Sequence, residues 1–213
     1  MEWNLLTVQN FSIIDREIDK SVFSPAEYEI VKRVVFSTGD LEYASVINFA
    51  NNPLSNGFAA LETRVPIMVD TPVIQAGILP FLQQTFMNPV YCLEDFALPA
   101  SVTATKSKIW QKLGKNYPSA IYIIGENPVS LFSLLDLIES VQVKPSLIIA
   151  TPSGFTRKEI INKMLQKSGV SHIRFDSCKG GVTVAIAIFQ GLIELGWLAK
   201  NSTMPIKNPK VRS

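Results

Sequence analysis

Hydrophobic positions along the chain alternate between short unbroken runs and stripes spaced three or four residues apart. Runs bounded by turn residues read as buried strands, and stripes read as one-sided helices. Val65 to Asp70, Val90 to Leu93, Ala120 to Ile124, Leu147 to Ala150 and His172 to Phe175 are the strand candidates. Ser24-Pro25-Ala26-Glu27 opens the first clear helix, with Ser24 as cap, Pro25 at the first helical position and Glu27 completing a capping box. Ile30, Val31, Val34 and Val35 give that helix its apolar face. Pro53 starts a second helix, through Leu61. Another is expected from Ser101 to Leu113, stopped by Gly114. Asn127 caps and Pro128 begins a strongly apolar helix that includes Leu131, Phe132, Leu134 and Leu135. Thr156 and Glu159 form a further capping box for a helix ending at Gly169, and a last helix follows Gly180-Gly181.

This alternation predicts a single α/β domain. It has a mostly parallel sheet, helices on both faces, and a binding crevice at the carboxyl ends of the strands. The domain is expected to occupy residues 1–200. A basic tail, 201–213, with Pro205, Lys207, Pro209, Lys210 and Arg212, is expected to be mobile.

Composition narrows the class. The chain has 213 residues, 47% hydrophobic and 18% charged, enough for a continuous core and unlike a disordered chain. Twenty basic against eighteen acidic side chains leave a net charge of +2, too little for the electrostatic footprint of a nucleic-acid binder. Cys92 and Cys178 stand far apart with no Cys or His at metal-ligand spacing. They read as reduced thiols of a cytoplasmic protein. The first residues lack the basic-then-apolar pattern of a signal peptide. Gly181 to Ala199 is long and apolar enough to consider as a membrane span. Gln190 and Glu194 inside it favour a buried final helix and no membrane association.

Candidate chemistry gathers in the loops that follow strands. Gly125-Glu126-Asn127-Pro128, Pro152-Ser153-Gly154-Phe155-Thr156 and Lys179-Gly180-Gly181-Val182-Thr183 each precede a helix N-terminus, where N–H groups favour carboxylate or phosphate. Glycines in such loops also serve as plain turn residues. Neither G-x-G-x-x-G after a strand nor G-x-x-x-x-G-K-[ST] occurs, so the usual nucleotide-binding signals are missing. His172, the single histidine, lies mid-strand and reads as structural.

Taken in order, the motifs resemble the precorrin-8X methylmutase family of cobalamin biosynthesis. Asn10-Phe11-Ser12-Ile13-Ile14 is similar to the family's Ser-Phe-x-Ile-Ile, and Arg33 to Asp40 to its Arg-x-x-His-x-x-[Gly/Ala]-Asp segment. Pro66 to Asp70, followed by Val73 to Ile78, resembles its Ala-Pro-Ile-x-x-Asp strand. Thr105-Lys106-Ser107 stands where the family has Thr-Arg-Ser. Gly125 to Phe132, Pro152 to Phe155 and Lys179-Gly180-Gly181 resemble the remaining family segments. The resemblance runs from about Asn10 to about Glu194.

The resemblance implies a homodimeric isomerase that moves a methyl group from C11 to C12 of a corrin precursor, giving hydrogenobyrinate or its cobalt counterpart. It implies no metal or organic cofactor, and its substrate is a tetrapyrrole fringed with acetate and propionate. Carried over by position, the ligand-lining residues are Phe36, Ser37, Thr38, Asp40, Asp70, Thr105, Lys106, Gly125, Asn127, Ser153, Gly154, Lys179 and Gly181. Lys106 and Lys179 are expected to pair substrate carboxylates. Protonation of the ring assists the rearrangement, and the family's proton donor is the histidine of Arg-x-x-His. This chain has Phe36 there, which carries no transferable proton. Asp40, Asp70 or water are the remaining candidate donors. The alternative expectation is an impaired relative that binds a tetrapyrrole.

Overall fold

A computed structural model describes residues 5–96, 106–154 and 158–202. Nine helices and six strands occur among them. In chain order they are α1 (Leu5–Glu17), α2 (Pro25–Thr38), α3 (Tyr43–Val46), β1 (Ile47–Ala50), α4 (Pro53–Glu62), β2 (Ile67–Val69), α5 (Pro72–Gln83), β3 (Val90–Cys92), α6 (Lys106–Asn116), β4 (Ile121–Ile124), α7 (Pro128–Glu139), β5 (Leu147–Ala150), α8 (Lys158–Ser168), β6 (His172–Phe175) and α9 (Val182–Ser202). The strands form one sheet in the order β1-β6-β5-β4-β2-β3, parallel except where β1 runs against β6.

Side chains alternate across the sheet, and each face buries its own core. Ile67, Val69, Ile121, Ile123, Leu147, Ile149, Ile173 and Phe175 pack with α2, α4, α5 and α9. Met68, Tyr122, Ile124, Ile148 and Ala150 pack with α6, α7 and α8. The fold class expected from the alternation is therefore the one observed.

Local signals predict several element starts well. Ser24 and Glu27 form the expected capping box, and Asn127 accepts from the Val129 N–H at the start of α7, whereas α5, capped by Thr71, is not among the expected helices. Gly114 does not stop α6, which continues to Asn116. A Cβ there would sit 2.7 Å from Val143 Cγ2, so the glycine serves close packing. The proposed start of that helix at Ser101 and the Thr156 half of the capping box lie outside the described residues, as does the tail from Thr203 on. The helix α9 takes in Asn201 and Ser202, two residues assigned above to the tail.

By length and composition α9 could cross a membrane. Half of its most apolar window is buried, and the two mid-helix polar residues have partners: Gln190 donates to Gly77 O at 2.9 Å, and Glu194 pairs with Arg33. It is packed as a core helix.

The strand order creates a topological switch. From β2 the chain moves outward to β3, then returns to the other side of β2 and proceeds through β4, β5 and β6. Loops after adjacent strands diverge at such a point, and the crevice lies above the carboxyl ends of β2 and β4.

Candidate functional site

The crevice at the switch point is filled by a side chain of the protein itself. Asp70, 3% exposed, follows β2 and receives three backbone N–H groups. Gly125 donates to its Oδ1 at 3.1 Å; Glu126 and Asn127 donate to its Oδ2 at 3.0 and 2.9 Å. Burial raises the Asp70 pKa from the ordinary carboxylate value, with the three N–H bonds opposing it.

Next to it, the loops after β5 and β6 interlock. Gly181 donates its N–H to Thr151 O at 2.6 Å, and Gly154 donates to Cys178 O at 3.1 Å. Gly180 lies so close to Thr151 O that a Cβ would sit 2.2 Å from it. Lys179 leaves this knot and donates to Asp40 Oδ2 and Glu42 Oε2, each at 2.5 Å, while Tyr43 donates to Gly180 O at 3.4 Å. The hydrogen bond from Lys179, with the Glu42 N–H, holds Asp40 below the usual carboxylate range. Hydrogen bonds to Asp40 and Glu42 raise Lys179 in turn.

The end of α2 supplies the third part. Ser37 and Thr38 turn their hydroxyls back onto Val34 O at 3.0 and 2.8 Å. Phe36 is 40% exposed and meets Phe11 edge-on, with centroids 5.1 Å apart. It stands between two hollows. One, of about 370 Å³, is lined by Asn10, Ile13, Ile14, Glu17, Gly39 and Leu41. The other, of about 200 Å³, is lined by Phe11, Arg33, Ser37, Phe81, Gln190 and Glu194.

The residues singled out in the sequence thus fall into three adjoining groups. Asp70, Gly125 and Asn127 form one. Asp40, Gly154, Lys179 and Gly181 form the second, with Ser153 exposed on its loop. Phe36, Ser37 and Thr38 form the third, joined to the second through Gly39 and Asp40. Thr105 lies outside the described residues, and Lys106 enters only as the first residue of α6. Sequence reasoning missed Glu42 and Tyr43 as partners of the Lys179 loop, and Arg33 and Glu194 as walls of a hollow. For Arg33 a signal existed: it lies one helical turn before Phe36 on the same face.

A sequence model of the family CbiC, precorrin-8X methylmutase, matches residues 6–195. The chain belongs to the precorrin-8X methylmutase family. The resemblance read from the motifs is thereby borne out, and members of this family are isomerases of cobalamin biosynthesis. A cobalt-precorrin-8 methylmutase from Synechocystis sp. is 30% identical over 207 residues, covering 90% of this chain and 95% of the relative. One from Methanocaldococcus jannaschii is 32% identical over 176 residues, covering 80% of each chain. Among solved structures, the precorrin-8X methylmutase from Thermus thermophilus superposes with a TM-score of 0.82 at 26% identity, covering 91% of this chain and 96% of that one. The α/β sheet described above is the fold of the methylmutase family.

Proposed function

We propose that this chain is a corrin-precursor-binding isomerase of cobalamin biosynthesis. It seats precorrin-8X or its cobalt counterpart over Phe36 and moves a methyl group from C11 to C12. Its rate is about 10²–10⁴ below that of a member carrying the family histidine, the usual loss on removing a general acid. The observation that carries this reading is Phe36 itself: an exposed aromatic ring at the proton-donor position, flanked by two hollows. A flat macrocycle packs on such a ring and sends its side arms into the hollows.

The slow rate is supported by the two carboxylates left as donors. Asp40 is committed to Lys179, which holds it deprotonated into acid. Asp70 is buried and turned onto three backbone N–H groups. We assign the protein to the cytoplasm as a homodimer. The exposed apolar residues Leu6 and Val8 on α1 support the dimer, because exposed apolar side chains of this kind are normally covered.

Titration with hydrogenobyrinate, followed by its visible spectrum, tests binding; incubation with precorrin-8X tests turnover. A saturable spectral shift with slow conversion is expected. A shift with no conversion at all would leave a tetrapyrrole-binding relative without catalysis. No shift would overturn the proposal.

A further inference from the structure

The helix α8 carries two neighbouring stripes. Ile160 and Met164 stand one turn apart, and Lys163 and Lys167, each three residues further on, do the same. Leu135 and Ile138 of α7 stand across from the apolar stripe, and between the two helices lies a hollow of about 470 Å³. That falls within the range of about 300–1,000 Å³ that small-molecule sites occupy. The hollow is separate from the Phe36 region: α7 and α8 cover one face of the sheet, α2 and α9 the other.

The basic stripe supplies the donors. Lys163 is exposed and joins no ion pair among the described residues. Lys167 meets Glu139 at 3.4 Å, but both side chains are largely exposed, so water weakens the pair and either partner exchanges easily. Two like charges one turn apart repel, and an anion between them offsets that repulsion. The Ser168 hydroxyl, also on the wall, is spent on Leu165 O at 2.6 Å.

We infer that this hollow is a second ligand site, for an amphiphile with an unbranched apolar chain of medium length and one terminal carboxylate, taken up from solution. The chain lies on Leu135, Ile138, Ile160 and Met164, and the carboxylate lies between Lys163 and Lys167. Two lysines against Glu139 leave one excess positive charge, which matches one carboxylate and not the many of a corrin precursor. Length agrees as well. From Ile160 to Ser168 the α8 wall rises about 12 Å at 1.5 Å per residue, the reach of a decyl chain. Met164, unbranched and polarizable, adapts to a chain of this kind.

Calorimetric titration of the full chain with decanoate, decanol and hexanoate, each below its micellar concentration, tests the inference. Decanoate is expected to bind saturably at one site and to shift the methyl resonance of Met164, assigned with Met164→Leu. Decanol, which lacks the charge, should bind about three- to tenfold more weakly, the scale of ion pairs open to water. Hexanoate should bind about tenfold more weakly or worse, because it buries fewer methylene groups. Lys163→Gln/Lys167→Gln should bring decanoate down to the level of decanol and leave decanol unchanged. Ile160→Glu, at an exposed position, sets a carboxylate on the wall and should abolish decanoate binding. Absence of saturable decanoate binding would overturn the inference, as would equal binding of decanoate and decanol. A Met164 methyl that stays in place would do so too, since the ligand would then lie elsewhere. Loss of self-association in Ile160→Glu would assign the hollow to a second copy of the chain and equally overturn the ligand site.

Discussion

Asp70 at the end of β2 holds Asn127 at the start of α7: its Oδ2 accepts the Asn127 N–H at 2.9 Å. With the bonds from Gly125 and Glu126, one carboxylate ties together the two strand ends that part at the switch point. The anion position at the head of α7 is thereby taken from within.

Asp70→Ala removes the acceptor of three N–H groups, at least one of them in a buried residue. A buried unpaired group costs about 1–3 kcal/mol, and water can reach the exposed Glu126, so a stability loss of about 1–3 kcal/mol is expected in urea denaturation. Asp70→Asn keeps one acceptor oxygen and is expected to lose less. Amide exchange should accelerate first at Gly125, Glu126 and Asn127. A loss below about 1 kcal/mol for Asp70→Ala would mean that other groups hold the loop.

His172 makes a prediction about pH. Burial lowers its pKa from 6.5, and the Arg174 charge adds to that, with the bond to Val170 O opposing. Nδ1 faces Val170 O at 2.8 Å, while Nε2 is buried without a hydrogen-bond partner among the described residues. A base depressed by folding is protonated first in the unfolded chain. Stability is therefore intact at neutral pH and falls as pH drops below 6.5. His172→Asn keeps a donor for Val170 O and cannot take the charge. Between about pH 7 and 5 its stability curve should be flatter than the parent's, whatever its absolute stability. Parallel curves would assign the acid sensitivity to other groups.

The features legible in the sequence are those set by near neighbours. Ser24 and Glu27, or Asn127 and Val129, meet within one turn of chain. The strands β4, β5 and β6 are buried on both faces, so they read as unbroken runs. By contrast β1 is a half-buried edge strand whose partner β6 lies far along the chain, and nothing local announces it. The helix α1 escaped because Leu6, Val8 and Ile13 face outward and blur its buried stripe. At the site, the position of Phe36 was legible from its motif. The capture of Lys179 by Asp40 and Glu42, and of Arg33 by Glu194, depends on distant segments meeting.

Gly180 is expected to tolerate no side chain. A Cβ would stand 2.2 Å from Thr151 O, and that oxygen is pinned because it accepts the Gly181 N–H at 2.6 Å. The obstacle is backbone, which cannot rotate away as a side-chain end can. Gly180→Ala should cost about 1–3 kcal/mol in denaturant unfolding. Ser153→Ala, on the exposed part of the adjoining loop, should stay within about 0.5 kcal/mol. Equal effects would show that the two loops separate easily.

Phe36→His restores a titratable group at the ring seat. The position accepts it, since Phe36 is 40% exposed and its loss gives up one edge-on contact with Phe11. An imidazole there is solvated enough to titrate near its ordinary value, the range in which general acids work best at neutral pH. Conversion of precorrin-8X in single turnovers should rise about 10²–10⁴-fold, with a dependence on pH that the parent lacks. Hydrogenobyrinate binding should change little, because an aromatic face remains at the position and the residues lining the two hollows are otherwise unchanged. Phe36→Leu, which removes the aromatic face and adds no proton, should weaken binding without raising the rate. If Phe36→His converts no faster than the parent, the barrier lies in how the ring is held, and the slow rate argued from this one side chain fails.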